Sequence, residues 1–229
     1  LVITRSMQAS VGNSIVKESK EKNYNDFLKF TFIFMWIIGW CTVCLVCLYQ
    51  PFMSIWMRND NTMLLSTFNM LLFCAYFYII NMNNTRNLYL EGKGLYHECR
   101  WYFLLEAIGN LLLNFLLGYY WGITGILLAT IITIFIFNFI TRTNVLFKCY
   151  FQFSAREFYC QHLEYGITTI GACIVTYLIC KIIPFSAWTG LILRAVVCCI
   201  VPNLIYILCY FRTNNFKNGI IFIGKVLNK

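Results

Sequence analysis

The 229 residues are 60% hydrophobic and 12% charged, and 18 Lys and Arg against 9 Asp and Glu give a net charge of +9. An ordinary soluble domain carries roughly 25% charged residues, and a mean hydropathy of +0.67 leaves too few polar side chains to cover a water-facing surface. The charges fall in short clusters between long apolar stretches, the pattern of a membrane protein, and no basic, aromatic-studded soluble module is present for nucleic acid.

In chain order, residues 1–29 read as the end of a preceding helix followed by a polar cytoplasmic connector, Ser19 to Asp26. The chain starts at Leu1 without a visible signal peptide, so the expectation is that it begins partway through a longer protein. Six apolar segments follow, at about 30–49, 62–80, 103–118, 123–141, 165–183 and 191–210, predicting an all-α bundle of about six membrane spans. Gln50–Pro51 is expected to break the first helix and leave Phe52 to Trp56 as an interfacial stub. The third and fourth segments share one charge-free stretch from Ala107 to Thr141, too long for a single span of about 20 residues. That stretch must fold back, and Gly118-Tyr-Tyr-Trp-Gly122-Ile-Thr-Gly125 supplies the turn. Pro184 stops the fifth segment and Pro202 predicts a kink in the sixth. Residues 212–229 form a basic tail in which Phe216, Ile220, Ile223 and Leu227 recur at helical spacing, as in a short interfacial helix.

The basic residues orient the bundle. The N-terminal stretch, the loops around Arg86 to Arg100 and Arg142 to Arg156, and the tail hold 15 of the 18, and all four regions fall on one side. Arg58 and Lys181 fall on the other side, and Arg194 lies just inside the sixth segment. Both ends are therefore expected in the cytoplasm, with the basic loops facing anionic lipid. Trp56, Tyr119, Tyr120, Trp121 and Trp188 mark the outer interface, and Trp101 and Tyr102 the inner one.

Of the 12 cysteines most sit within apolar stretches, where cysteine behaves as a small hydrophobe. Cys41, Cys44 and Cys47 read as CxxCxxC, but a cluster motif needs a fourth ligand and a wrapping loop, and this triplet lies in an unbroken apolar run. His97 and His162 have no spaced partners, and there is no nucleophile elbow or phosphate-binding glycine loop. The sequence therefore gives no catalytic residue, metal or cofactor, and predicts a protein that is not an enzyme.

The informative polar pattern is Glu106, Asn110 and Asn114, at i, i+4 and i+8, drifting only about 80° around a helix. Polar groups facing lipid are costly, so this stripe should face the bundle interior, either lining a translocation pathway or bonding helix to helix. Arg194 is the lone basic residue within a span and can attract an anion or snorkel outward. Arg86, beside Asn81, Asn83 and Asn84 at the inner end of the second segment, can touch a head group or serve only the positive-inside bias.

Several strings resemble those of bacterial polysaccharide flippases of the multidrug/oligosaccharidyl-lipid/polysaccharide exporter superfamily. They are Ala9-Ser-Val-Gly-Asn13 with Glu18-Ser-Lys-Glu-Lys-Asn-Tyr24, the Arg86 region, Gly94-Leu95, Arg100, Glu106-Ala-Ile-Gly-Asn110, and Gly122-Ile-Thr-Gly125 with Thr130. The resemblance covers nearly the whole chain, most strongly Ser10 to Asn144. It implies a MATE-like C-terminal lobe in the bacterial cytoplasmic membrane, working with a missing N-terminal lobe. It also implies a lipid-linked oligosaccharide as substrate. Arg86, Glu106 and Asn110 match the family pattern, whereas Arg194 does not. A drug/cation antiporter or a peptidoglycan-precursor flippase of the same superfamily is the alternative. A membrane-bound enzyme of the polysaccharide pathway and a non-transporting scaffold stand further off.

Overall fold

The computed structural model describes residues 2–57, 64–184 and 187–227, and every element among them is helical. The elements are α1 (Val2–Lys17), α2 (Lys20–Trp56), α3 (Thr67–Asn81), α4 (Asn84–Lys93), α5 (Tyr96–Thr133), α6 (Arg142–Leu146), α7 (Arg156–Ile182), α8 (Ala187–Tyr210) and α9 (Asn214–Leu227). Two π-helical segments, Ile134–Thr141 and Phe147–Phe151, flank α6. Among the described residues four helical stretches are long and apolar enough to cross a membrane: Lys20–Trp56, Tyr96–Phe151, Arg156–Ile182 and Trp188–Tyr210.

Helix α2 is the hub, packing against α3, α7, α8 and α9. Its buried face recurs every three or four residues through Phe27, Leu28, Thr31, Phe32, Met35, Ile38, Gly39, Thr42, Val43 and Cys47, the spacing of one stripe on a helix. Gly39 permits the closest approach on that face. A Cβ there would run into the Tyr206 hydroxyl and lie 2.7 Å from Thr169 Oγ1. Polar groups close the same seam, with Trp36 Nε1 donating to Asn203 Oδ1 at 2.7 Å. Below it, Phe27, Tyr89, Phe151 and Phe158 form an aromatic knot, with Phe27 and Phe158 stacked at 5.2 Å.

The outward faces are apolar. Ile167, Ile170, Ile174 and Leu178 of α7 are exposed, as are Ile192, Leu193, Val196, Ile200 and Leu204 of α8. A water-facing surface does not carry such continuous stripes, and a hydrocarbon environment accounts for them. Trp56, Tyr119, Tyr120, Trp121 and Trp188 are all more than half exposed at helix ends.

Several boundaries differ from the sequence expectation. Helix α2 begins at Lys20, not at residue 30, because Ser19 caps it by accepting from Lys22 N at 3.2 Å and the polar turn that follows stays helical. The helix also runs through Pro51 to Trp56, so the expected break is absent. Proline removes one backbone donor and crowds one preceding carbonyl, a loss the helix absorbs within its last two turns. Helix α7 starts at Arg156, nine residues before the expected 165. The tail is the helix α9, held on α2 by Phe216 stacked on Trp36 at 5.8 Å and by Phe222 edge-on to Phe30 at 5.3 Å. Arg58, the start of the segment expected at 62, and the side chains of Ile223 and Leu227 lie outside the described residues.

The stretch Tyr96–Phe151 reverses at Gly122, whose φ of 56° and ψ of −132° no helix contains. A straight helix of its 56 residues would run ~84 Å, nearly three times a bilayer core. Contacts instead pair residues across the reversal. Gly118 meets Ile126, Gly109 meets Phe137, and Phe103 meets Arg142, which is the order of an antiparallel hairpin. Gly125 sits so close to the first arm that a Cβ on it would fall on the Leu117 carbonyl.

Candidate functional site: a buried charge network at the base of the hairpin

The hairpin brings Glu106 on its first arm against Asn138 and Arg142 on its second. Arg142 Nη2 forms an ion pair with Glu106 Oε2, and Asn138 Nδ2 donates to Glu106 Oε1 at 3.4 Å. The Arg142 guanidinium also lies over the Phe103 ring, 3.7 Å from its centroid. Arg86 enters from α4. Its Nη1 donates to the carbonyls of Asn138 and Phe139, and its Nη2 to the side-chain oxygens of Asn138 and Asn87, the latter at 2.6 Å. Asn138 lies within the π-helical segment Ile134–Thr141. There the wider turn displaces backbone carbonyls from regular pairing, which suits them to take a guanidinium.

Arg86 is only 1% exposed and Arg142 5%. Burial, and then the Arg142 guanidinium, push Arg86 down to about 9, which leaves it charged at neutral pH. Two guanidinium groups against one carboxylate give the network one net positive charge. The Nε atoms of both arginines are buried with no hydrogen-bond partner. The network is thus strongly bound together yet keeps excess positive charge and two unused donors, an arrangement that suits holding an anion or latching helices.

The stripe continues up the hairpin without charge. Asn110 Nδ2 donates to Thr133 Oγ1 at 3.0 Å and Thr130 Oγ1 at 3.3 Å, and Asn114 Nδ2 donates to Asn110 Oδ1 at 2.8 Å. The two threonines in turn donate to carbonyls of their own arm, Thr133 to Ala129 at 3.0 Å and Thr130 to Ile126 at 2.9 Å. Of the expected site residues, Glu106, Asn110 and Asn114 therefore lie along the first arm of the hairpin, and Arg86 reaches its second arm from α4. Asn114 also borders a groove of about 470 Å³ with Leu111, Phe115, Gly118, Tyr119 and Ile126. Arg194 stands apart on α8, where its Nη2 donates to the Ile183 carbonyl at 3.0 Å.

Asn138 and Arg142 are the residues that sequence reasoning left out. Asn138 is a single amide in a Phe- and Ile-rich run, and Arg142 counted only as a loop charge. The signal was symmetry, since Asn138 follows Gly122 by the same interval at which Glu106 precedes it. Among the described residues the one grouping of three metal-capable side chains is Cys47, Cys180 and Cys198, on α2, α7 and α8.

No family model, no curated protein and no solved structure matches the chain.

Proposed function

We propose that this chain is part of a transporter that flips undecaprenyl-pyrophosphate-linked oligosaccharide repeat units across a bacterial cytoplasmic membrane, for capsule, O-antigen or exopolysaccharide synthesis. The observation that carries the reading is the meeting of the positions drawn out by the flippase resemblance. Arg86 and Glu106 share Asn138, and Asn110 lies one turn further along the same arm. A buried site with one excess positive charge at the basic end of the bundle suits the diphosphate of such a lipid, since guanidinium donors fit phosphate oxygens.

In this reading the chain makes six crossings: α2, α3, the two hairpin arms, α7 and α8. Both ends face the cytoplasm, and the bundle is a MATE-like lobe. Helix α3, at 15 residues, is short for a crossing and requires local thinning of the bilayer. The partners are a second helical lobe, across which alternating access operates, and the anionic lipids beside the basic loops. In the conformation described, the network joins α4 to both arms of the hairpin. Releasing that latch is the step that would expose its charge.

Binding tests the reading. The chain in lipid nanodiscs, titrated with a polyprenyl pyrophosphate, is expected to bind it at least about tenfold, or ~1.4 kcal/mol, more tightly than the neutral polyprenol. Equal affinity for the two would refute a diphosphate lipid as substrate. Preference for a lipophilic cation would point instead to the drug-exporter branch.

A further inference from the structure

A second polar grouping lies far along the chain from the hairpin network and plays no part in it. Cys47, Cys180 and Cys198 come from three different helices, and their sulfurs all lie within 4.8 Å of one another. All three are 4% exposed or less, and Cys198 is fully buried. The group holds no carboxylate or imidazole. Cys44, one turn before Cys47, has its thiol in hydrogen-bonding reach of Cys198.

We propose that Cys47, Cys180 and Cys198 form a three-coordinate site for a soft monovalent metal ion, Cu(I). Thiolate donors without oxygen or nitrogen partners select soft ions over hard ones, and burial keeps water from competing for the metal. With a metal–sulfur bond of ~2.3 Å, a planar trigonal site places its sulfurs ~4 Å apart, so closure asks for less than about 1 Å of movement.

The helices are able to give that movement. Pro51 and Pro202 each follow a cluster cysteine by four residues and have no N–H to donate to its carbonyl. Both α2 and α8 therefore lack a rung of their ladder at the cluster. Trp40 Nε1 donates to the Cys198 carbonyl instead, at 2.9 Å. Cys180 lies in the last turn of α7, where the helix is already ending.

Each ligating thiol gives its proton to solvent and no electron changes hands. Three thiols and one Cu(I) become a trithiolate complex and three protons, so affinity rises with pH. The complex carries negative charge. Arg194 precedes Cys198 by one turn of α8, and its guanidinium donates to the carbonyl of Ile183, three residues beyond Cys180, at 3.0 Å.

The full chain, purified under anaerobic conditions, is titrated with Cu(I) against a competing cuprous chelator, and the bound metal is examined by X-ray absorption. A single tightly held equivalent with three sulfur ligands is expected. It should be lost in the triple variant Cys47→Ala, Cys180→Ala, Cys198→Ala and weakened in each single variant. Cys74→Ala, a buried cysteine of α3 outside the group, should retain it. Circular dichroism on every variant separates loss of the site from loss of the fold, and the single variants keep the test open should the triple variant unfold. Retention of tight copper by a folded triple variant would overturn the site. So would recovery of a disulfide between two of these cysteines in its place, or preference for Zn(II) over Cu(I).

Discussion

Glu106 and Asn138 stand at equal intervals from Gly122, sixteen residues before and after it, and their side chains meet with Asn138 Nδ2 donating to Glu106 Oε1 at 3.4 Å. The mirror position is what an antiparallel helical hairpin closing on one glycine produces. It makes the glycine string and the charge network parts of one device, the turn setting the register that the charges use.

The turn should tolerate change unevenly. Gly125→Ala forces a methyl into the Leu117 backbone carbonyl, which cannot move aside. Gly118→Ala meets only side-chain carbons, Ile126 Cγ1 at 3.2 Å and Cδ1 at 3.7 Å, which can give by a few tenths of an ångström. Overpacking typically costs about 1–3 kcal/mol, so Gly125→Ala is expected at or above that range and Gly118→Ala near its floor. Gly122→Ala is strained by its positive φ whatever the space around it. Reversible unfolding in mixed micelles measures all three, and equal stability of Gly118→Ala and Gly125→Ala would contradict the close-packed turn.

Removing one partner of a buried ion pair leaves the other charge stranded, at about 3–5 kcal/mol in well-buried cases. Glu106 is partly exposed, with a fifth of its side chain accessible, so Glu106→Gln is expected in the lower part of that range. Arg142→Gln should also destabilise, and the double variant by less than the sum. A double-mutant cycle on unfolding free energies measures the coupling. A coupling of zero would mean that the pair contributes nothing to holding the arms together.

The proposed membrane sidedness can be tested on the same hairpin. The turn residue Tyr119 is 85% exposed and lies at the end opposite the charge network. The exposed Cys149 lies beyond the second arm, near Lys148. An impermeant thiol reagent should label Tyr119→Cys in intact cells and reach Cys149 only after permeabilisation. The reverse pattern would invert the proposed orientation.

The hairpin was legible in the sequence because a charge-free run longer than one bilayer crossing can only fold back, and three glycines stand where it does so. The stripe Glu106, Asn110, Asn114 was legible from helical spacing alone. Its partners were not. Thr133 and Asn138 become neighbours of the stripe only once the reversal at Gly122 is fixed, and Arg142 is hidden by its place in a basic loop. Helix ends were poorly legible for a different reason. Apolar content marks where a helix meets lipid, whereas α2 and α7 begin on polar turns ahead of their apolar runs, the first capped by Ser19. The break expected at Pro51 is absent because a long, well-packed helix bears the loss of one hydrogen bond.

The proposed role of the charge network is the transport of a lipid diphosphate. The direct measurement is translocation of a fluorescent undecaprenyl-pyrophosphate-linked oligosaccharide in proteoliposomes holding this chain with the proposed second lobe, counted per molecule of protein. Translocation above that of empty vesicles is predicted, falling at least about tenfold, a barrier increase of ~1.4 kcal/mol, in Arg86→Gln at equal abundance and helix content. Translocation no faster than in empty vesicles, or an unchanged rate in a folded Arg86→Gln protein, would contradict it.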